Sequence, residues 1–313
     1  MRRLPRLVPD DTHIPFLRYR LWALGGSVVV VLASILLVLV QGLNLGIDFR
    51  GGTLLEVRTA NPPDLAAMRT LLGGLGLGEI ALQSVGDEND VLIRIARQPG
   101  DEAAQQQAIA VARAALDEQF GGAIEYRRSE FVGPKVSAEL LRDGILATLI
   151  AVALVLLYLW FRFEWQYGVG AVAALVHDVA ATIGLFSVTG LEFNLSTVAA
   201  ILTIIGYSLN DTVVVFDRVR ENLRRYRKMP LEELLDRSIN ETLPRTIMTG
   251  ATTFLALLSL VVLGGEVIRG FTIAMIWGVV IGTYSTVYIG APILIYLSLR
   301  ANADEAEAKP VPG

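Results

Sequence analysis

Six apolar runs dominate the chain, and each is long enough to cross a membrane as a helix. A spanning helix needs about 20 apolar residues, or about 17 at the short end. The chain is 53% hydrophobic with a mean hydropathy of +0.52, which is more apolar than an ordinary soluble domain. The sequence therefore predicts an α-helical integral membrane protein with six transmembrane helices, at residues 21–41, 145–161, 169–189, 197–216, 247–263 and 271–297.

Basic residues set the expected orientation of these helices. They lie before the first run, after the second, after the fourth and after the sixth, which is one side of the membrane if there are six spans. The positive-inside rule then places both termini in the cytoplasm. The first run is interpreted as a retained anchor, because it is too long for the apolar region of a signal peptide and no A-x-A cleavage site follows. The basic residues are Arg2, Arg3, Arg6, Arg18, Arg20, Arg162, Arg218, Arg220, Arg224, Arg225, Arg227, Lys228 and Arg300.

The expected domains follow from this topology. A cytoplasmic segment (1–20) precedes the first span (21–41), and an extracytoplasmic domain with its return segment covers 42–144. A five-helix bundle (145–298) contains a cytoplasmic loop at 217–244, and a charged cytoplasmic tail covers 299–313. Between residues 50 and 140, strand and helix patterns alternate in the order β-α-β-β-α-β. This order predicts a small α+β ferredoxin-like domain.

Asp211 is the residue most suggestive of function, because it falls inside the fourth span. A carboxylate in hydrocarbon costs about 2.5–3.5 kcal/mol on insertion scales and marks a functional site by default. On a helix, Tyr207 and Ser208 lie one turn earlier and are expected on its face. One interpretation is a carboxyl group that binds and releases a proton. The alternative is a structural contact, in which Asn210 and Ser208 hydrogen-bond to a neighbouring helix.

Arg245 is the expected partner of Asp211. It lies at the start of the fifth span, with Pro244 at an early helical position and Thr249 one turn further on the same face. A guanidinium keeps its charge, so it can hold a carboxylate ionised and release it when helices shift. The alternative is an arginine that extends to the lipid headgroups.

Two further groups are candidates for supporting roles. His177 and Asp178 occur together in the third span, where they could relay protons or form a buried pair that fixes the bundle. The segment GLNLGIDFRGG (42–52) follows the first span and suggests an elbow between membrane and domain, with a local turn closed by aspartate. The residues of this elbow are Gly46, Asp48, Gly51 and Gly52.

Several kinds of chemistry are disfavoured. The chain has no cysteine and only two histidines, so thiolate and histidine-rich metal sites are not expected. Its three lysines, Lys135, Lys228 and Lys309, do not follow a glycine, which excludes a Walker A loop. No nucleophile with a matching base is found, so we expect no catalytic residue, no metal and no cofactor. An ion gradient, with protons as the coupling ion, is the expected source of work.

Taken together, these residues resemble the SecF family, the smaller subunits of the bacterial SecDF protein-export complex. The resemblance covers residues 25–298 and rests on GIDFRGG (46–52), VGPKV (132–136), the His-Asp pair, GYSLNDTVVVFDRVREN (206–222) and SINETLPRTIMT (238–249). It implies an RND half-transporter bundle in the bacterial inner membrane that pairs with the six spans of SecD. It also implies docking on SecYEG and use of the proton-motive force after the SecA ATPase step. Asp211 and Arg245 are then the proton-relay residues.

The partners implied by this resemblance are SecD, SecYEG, YajC, the translocating preprotein and membrane lipid, with no nucleic acid. Two alternatives remain open at this point. A stand-alone RND exporter of hydrophobic compounds predicts a second six-span half or a large external porter region. A passive membrane scaffold predicts that Asp211→Asn is harmless.

Overall fold

The computed structural model describes residues 12–85, 88–100, 102–121, 124–263, 268–297 and 299. Predictions for residues 1–11 and for the tail beyond 299 lie outside these ranges. The elements in chain order are α1 (Arg20–Gln41), α2 (Ile47–Arg50), β1 (Gly52–Thr59), α3 (Leu65–Gly73), β2 (Ile80–Ser84), β3 (Asp90–Ile95), α4 (Glu102–Gln119), β4 (Ile124–Val132), α5 (Pro134–Arg162), α6 (Trp165–Thr189), α7 (Leu195–Arg225), α8 (Leu231–Leu263), α9 (Arg269–Ser285) and α10 (Ala291–Tyr296). A 3₁₀ turn (Phe16–Tyr19) precedes α1, and a π-helical turn (Thr286–Gly290) joins α9 to α10.

Six helical segments of the described chain are long and apolar enough to span a membrane. They are α1 with its preceding turn, α5, α6, α7, α8, and α9 continued through the π-helical turn into α10. The six-span prediction is therefore confirmed, and the chain is a multi-pass membrane protein. Helices α6 and α9 form the inside of the bundle, whereas α1, α5 and α8 lie at its periphery with most of their apolar surface exposed.

The helices extend further than the apolar runs predicted. The return segment before residue 145 is the first part of α5, which begins at Pro134. The segment 217–244, which we expected to be a loop with a short helix at 230–239, is mostly helical, because α7 continues to Arg225 and α8 begins at Leu231. Pro244 consequently lies inside α8 and not at its start. The extensions persist because their apolar side chains join the bundle core: Val219, Leu234, Leu235 and Ile239 are all buried there.

The segment between α1 and α5 folds into a four-stranded sheet covered by two helices. The strand order is β2-β3-β1-β4, and every neighbouring pair is antiparallel. The element order β-α-β-β-α-β is the one that the sequence predicted. One face of β1 and β3 packs against α3 and α4, because side chains alternate between the two sides of a strand. The core on that face contains Leu55, Val57, Met68, Leu72, Val91, Ile93, Ile95, Ala112 and Leu116.

The loop after α1 is bound to the connection between α6 and α7. Leu45 and Phe193 form a parallel β-bridge, in which the Gly46 amide donates to the Phe193 carbonyl at 2.9 Å. The Phe193 amide donates in turn to the Asn44 carbonyl at 2.8 Å. We call residues 44–52 together with 190–195 the junction. It joins the external domain to the bundle by backbone hydrogen bonds as well as by chain continuity.

Side chains strengthen the junction. Asp48 accepts a hydrogen bond from the Leu195 amide at 2.8 Å, so it binds the first turn of α7 instead of closing the local turn that we expected. Arg94 of β3 donates to Glu192 at 2.9 Å and to Asn44 at 2.8 Å, and this pair is largely shielded from solvent. The strand face opposite the helices is thereby held against the end of the bundle.

The elbow glycines have different roles. Gly51 and Gly52 have φ of 71° and 119°, in the region that favours glycine, and an added Cβ on Gly52 would meet the Ile95 carbonyl. Gly46 has an ordinary φ of −69°. Its lack of a side chain instead makes room for the Glu192 carboxylate.

Candidate functional site

Asp211 lies near the middle of α7, on the side that packs against α8. The residue is only 8% exposed. Its Oδ1 accepts a hydrogen bond from Thr246 Oγ1 at 2.6 Å, whereas its Oδ2 is buried and has no partner among the described residues. A buried polar atom without a partner is uncommon and costly, above all on a carboxylate in hydrocarbon. Either a proton or an approaching cation would relieve that cost.

Arg245 does not pair with Asp211 in the described part of the chain, and the predicted ion pair is not formed. Thr246 is the residue of α8 that faces Asp211. Neighbouring helical residues point about 100° apart, since 3.6 residues make one turn. Arg245 is therefore turned away from the contact, and its side chain is exposed on the surface of the bundle.

The hydroxyl groups expected around Asp211 contact other parts of the bundle. Ser208 donates to Asp178 at 2.7 Å and not to Asp211. Tyr207 turns toward α8, where its hydroxyl faces Gly250. Thr249 Oγ1 lies 3.0 Å from the Arg245 carbonyl oxygen, so it satisfies its own helix. Thr249 thus bonds its own helix, and among the described residues Thr246 alone reaches the carboxylate.

Asn210 is exposed although its neighbour Asp211 is buried. It adjoins one end of the Asp211–Thr246 hydrogen bond, and the exposed Arg245 adjoins the other end. An amide and a guanidinium are thus displayed on membrane-spanning helices beside the same buried contact. Both groups are unfavourable against lipid tails, so each requires either a covering protein surface or, for Arg245, a path to the lipid headgroups.

His177 and Asp178 lie at the centre of the bundle, where α6 meets α7 and α9. Asp178 is fully buried, and its Oδ2 accepts hydrogen bonds from Ser208 and Ser285, each at 2.7 Å. Its Oδ1 lies 3.0 Å from His177 Nδ1. A second hydroxyl pair, Thr212 with Thr286 at 2.8 Å, joins α7 to the π-helical turn one turn further along. Asp178 therefore connects three helices, a role that the sequence left open.

Thr246, Ser285 and Thr286 were missed by sequence reasoning. Thr246 directly follows Arg245, and a charged arginine is a more obvious candidate than a threonine for the partner of a carboxylate. Ser285 and Thr286 stand together inside the last span, and polar pairs of this kind often mark contacts between helices. That pattern is the signal that could have identified them. The described residues contain no group of three or more metal-ligating side chains.

The membrane bundle and the junction both match known families. Residues 112–300 match the family described as protein export membrane protein SecD/SecF, C-terminal. Residues 36–63 match the SecD/SecF GG motif, and they include Gly51 and Gly52, both of which have positive φ. Both matches cover segments that contribute to the contacts described above.

Curated relatives match over nearly the whole chain. The protein translocase subunit SecF of Rickettsia bellii is 45% identical over 289 residues, which is 92% of this chain and 95% of the relative. The protein translocase subunit SecF of Cereibacter sphaeroides is 46% identical over 310 residues, with coverage of 97% and 95%.

A solved structure has the same fold. SecDF from Thermus thermophilus, described as a translocon-associated membrane protein, aligns with a TM-score of 0.83 and 35% identity over 94% of this chain. The alignment covers 40% of that longer SecDF chain. SecDF in a super-membrane-facing form aligns with a TM-score of 0.69 and 32% identity.

Proposed function

The chain belongs to the SecD/SecF family of protein export membrane proteins, as a SecF-type subunit, and from this we propose that it couples the proton-motive force to protein export. In this proposal it acts with SecD to promote preprotein translocation through SecYEG, after the ATP-driven step of SecA. It resides in the bacterial inner membrane with both termini in the cytoplasm, and YajC is a further partner. The coupling ion is the proton, and no bound cofactor takes part.

The observation that carries the proposal is the buried carboxyl group of Asp211. One of its oxygens is bound by Thr246 and the other has no partner in the described structure. A structural contact between helices would need only the first of these oxygens, and an asparagine would supply it without the cost of ionisation. The second oxygen is free to receive a proton.

The exposed polar groups of α7 and α8 support pairing with a second membrane subunit. Asn210 and Arg245 are displayed on either side of the Asp211 contact, where lipid alone would leave them unsatisfied. A six-helix half of SecD placed there would cover both groups. It would also bring its own polar residues to Arg245 and complete a proton path that this chain alone holds only in part.

The proposed cycle uses these groups in order. A proton from outside neutralises Asp211, which weakens the hydrogen bond that its carboxylate accepts from Thr246. The helices then shift, and the junction passes the movement to the external domain, which helps keep an emerging polypeptide from sliding back. One charge that crosses 100 mV supplies about 2.3 kcal/mol, enough to bias a switch between two conformations.

The test is export of a secreted protein, followed by pulse-chase, in cells depleted of their own SecF and supplied with Asp211→Asn. Asparagine keeps the size of the side chain and can still accept the Thr246 hydrogen bond, but it cannot ionise. We expect slow export with normal subunit abundance and normal co-purification with SecD.

The matched control is Asp217→Asn on the same helix. Asp217 forms an exposed ion pair with Arg162 at 2.8 Å, and exposed pairs contribute little to stability. We expect normal export from this variant. Normal export from Asp211→Asn would refute proton coupling through Asp211 and would favour the passive scaffold.

A further inference from the structure

In the His177–Asp178 pair, the carboxylate has hydrogen-bond partners on both oxygens, whereas one imidazole nitrogen has none among the described residues. Three groups contact the two oxygens of Asp178: the hydroxyls of Ser208 and Ser285 donate to Oδ2, and His177 Nδ1 lies 3.0 Å from Oδ1. His177 is 3% exposed, and its Nε2 is buried without a partner among the described residues. The carboxylate is satisfied, while one imidazole nitrogen is not.

The number of protons that the His177–Asp178 pair holds determines which of its atoms carry a hydrogen. If the pair holds one proton, the hydrogen bond between Nδ1 and Asp178 contains it, and Nε2 is bare. If the pair holds two protons, it is either imidazolium with carboxylate or neutral imidazole with carboxylic acid. In the imidazolium state, and in the acid state whose proton lies between Oδ1 and Nδ1, Nε2 carries a hydrogen, whereas an acid proton on Oδ2 would leave Nε2 bare. Oδ2 already accepts hydrogen bonds from Ser208 and Ser285, which favours Nε2 over Oδ2 as the site of the added proton.

The buried charge favours uptake of that second proton. With one proton the pair carries one negative charge inside the bundle, and with two it is neutral. An uncompensated charge is costly in a low-dielectric interior, whereas a neutral or internally paired state is not. Imidazole is also the side chain that ordinarily titrates between pH 5 and 8.

Few other titratable groups surround the pair in the described residues. Helix α7 contributes the Ser208 hydroxyl, and α9 contributes Ser285 and Tyr284, whose ring lies 5.8 Å from the imidazole. Tyr288 of the π-helical turn lies behind Tyr284 at 5.2 Å, and α1 contributes the Ser27 hydroxyl, which bonds Tyr284. Asp211 binds Thr246 on the α8 side of α7, so it belongs to a different contact.

We propose that the His177–Asp178 pair is a second proton-binding site of this half-transporter, with His177 Nε2 as the atom that takes up the proton. The ligand is a proton from water, and its binding changes the charge of the pair from −1 to 0. Asp178 is a positioning residue, because it fixes the imidazole and keeps Nδ1 in the hydrogen bond. Only the use of this site in export depends on the proposed function; the protonation itself does not.

Nitrogen NMR of the full chain in lipid nanodiscs tests the proposal directly. The chain has two histidines, so His13→Gln leaves a single imidazole to observe after labelling with ring-¹⁵N histidine. We expect Nε2 to be bare near pH 8 and to acquire a proton as the pH falls to 5, while Nδ1 keeps its hydrogen. Exposed His13 in the unmodified chain serves as the reference imidazole.

Two variants make the result specific. Asp178→Asn removes the negative charge and keeps the shape, and we expect the pH-dependent change at Nε2 to disappear from the range of pH 5–8. Asp211→Asn should leave that change in place, because Asp211 belongs to another contact. An Nε2 that keeps one protonation state over the whole range, or that responds identically in Asp178→Asn, would overturn the proposal. Failure of the proposed function would appear separately, as normal export from Asp211→Asn.

Discussion

The hydrogen bonds of Ser208 and Ser285 to one oxygen of Asp178 predict that these serines are energetically coupled. They come from different helices, α7 and α9, and each bond is 2.7 Å long. Either serine alone still provides a donor for the buried Oδ2. In the double variant, with Ser208→Ala and Ser285→Ala combined, Asp178 Oδ2 loses both donors, while the His177 contact to Oδ1 remains.

Typical hydrogen-bond energies set the size of the coupling expected in the free energy of unfolding. A hydrogen bond between membrane helices is worth about 0.6 kcal/mol on average and at most about 1.7 kcal/mol. Each single variant should lower the free energy of unfolding by about that amount. The double variant leaves a buried charged acceptor unpaired, which adds a penalty of about 1–3 kcal/mol. The loss in the double variant should therefore exceed the sum of the two single losses by at least about 1 kcal/mol.

The assay is reversible unfolding in mixed micelles, followed by fluorescence of the four tryptophans, for the unmodified chain and all three variants. Thr203→Ala is the matched control, because the Thr203 hydroxyl is exposed and, among the described residues, bonds only the carbonyl of Ala199 in its own helix. We expect that control to stay within about 0.5 kcal/mol of the unmodified chain. Serine losses that add within about 0.5 kcal/mol would refute a shared acceptor.

Three further predictions concern other contacts. Thr246→Val removes the hydrogen bond to Asp211 and should slow export in the pulse-chase assay, whereas Thr246→Ser should not; equal rates would exclude a role for this bond. Cysteines at Leu45 and Phe193, neighbours in a β-bridge of an otherwise cysteine-free chain, should form a disulfide that slows export until a reductant is added; single cysteines are the controls. The Arg58 guanidinium hydrogen-bonds Asp90 and lowers the pKa of its carboxyl group below the usual 3.8. The ionised pair therefore adds to the free energy of unfolding above pH 3.8, and this contribution is lost as the pH falls further. Thermal unfolding should show Asp90→Asn less stable than the unmodified chain near neutral pH, with a difference that narrows in acid; a difference independent of pH would contradict this.

The membrane spans could be predicted because a run of apolar residues is a one-dimensional signal. Hydropathy fails where a helix leaves the hydrocarbon, since charged residues end the apolar run but not the helix. Residues 217–225 illustrate this, because Val219 still packs in the bundle core while arginines occupy the other faces. The order of strands and helices in the external domain was predictable for a similar reason, since alternation and turn residues are local patterns.

The contacts of the candidate site were less predictable, because they depend on how each helix is rotated. Asp211 was correctly singled out as a polar residue within a span. In the described structure Asp211 contacts Thr246 and not the expected Arg245, a difference of one residue that corresponds to about 100° around α8. Rotation is set by close packing that no single-sequence pattern reveals. An example is Gly278, where an added Cβ would collide with the side chain of Ile204.

The two buried carboxyl groups, Asp178 and Asp211, join helices that differ in how deeply they are buried in the bundle. Asp178 binds α7 and α9 through two serines, and both α6 and α9 are mostly buried. Asp211 joins α7 to α8 through one hydrogen bond, and α8 is largely exposed. Neutralising Asp211 weakens only this second contact. We therefore expect the part of α8 that follows Thr246 to shift against α6, α7 and α9, while its first part stays bonded to Asn222 of α7. Spin labels on α7 and on α8 beyond Thr246 should change their separation between pH 5 and 8, while labels on α6 and α7 should not. A constant α7–α8 distance would mean that Asp211 does not control the position of α8.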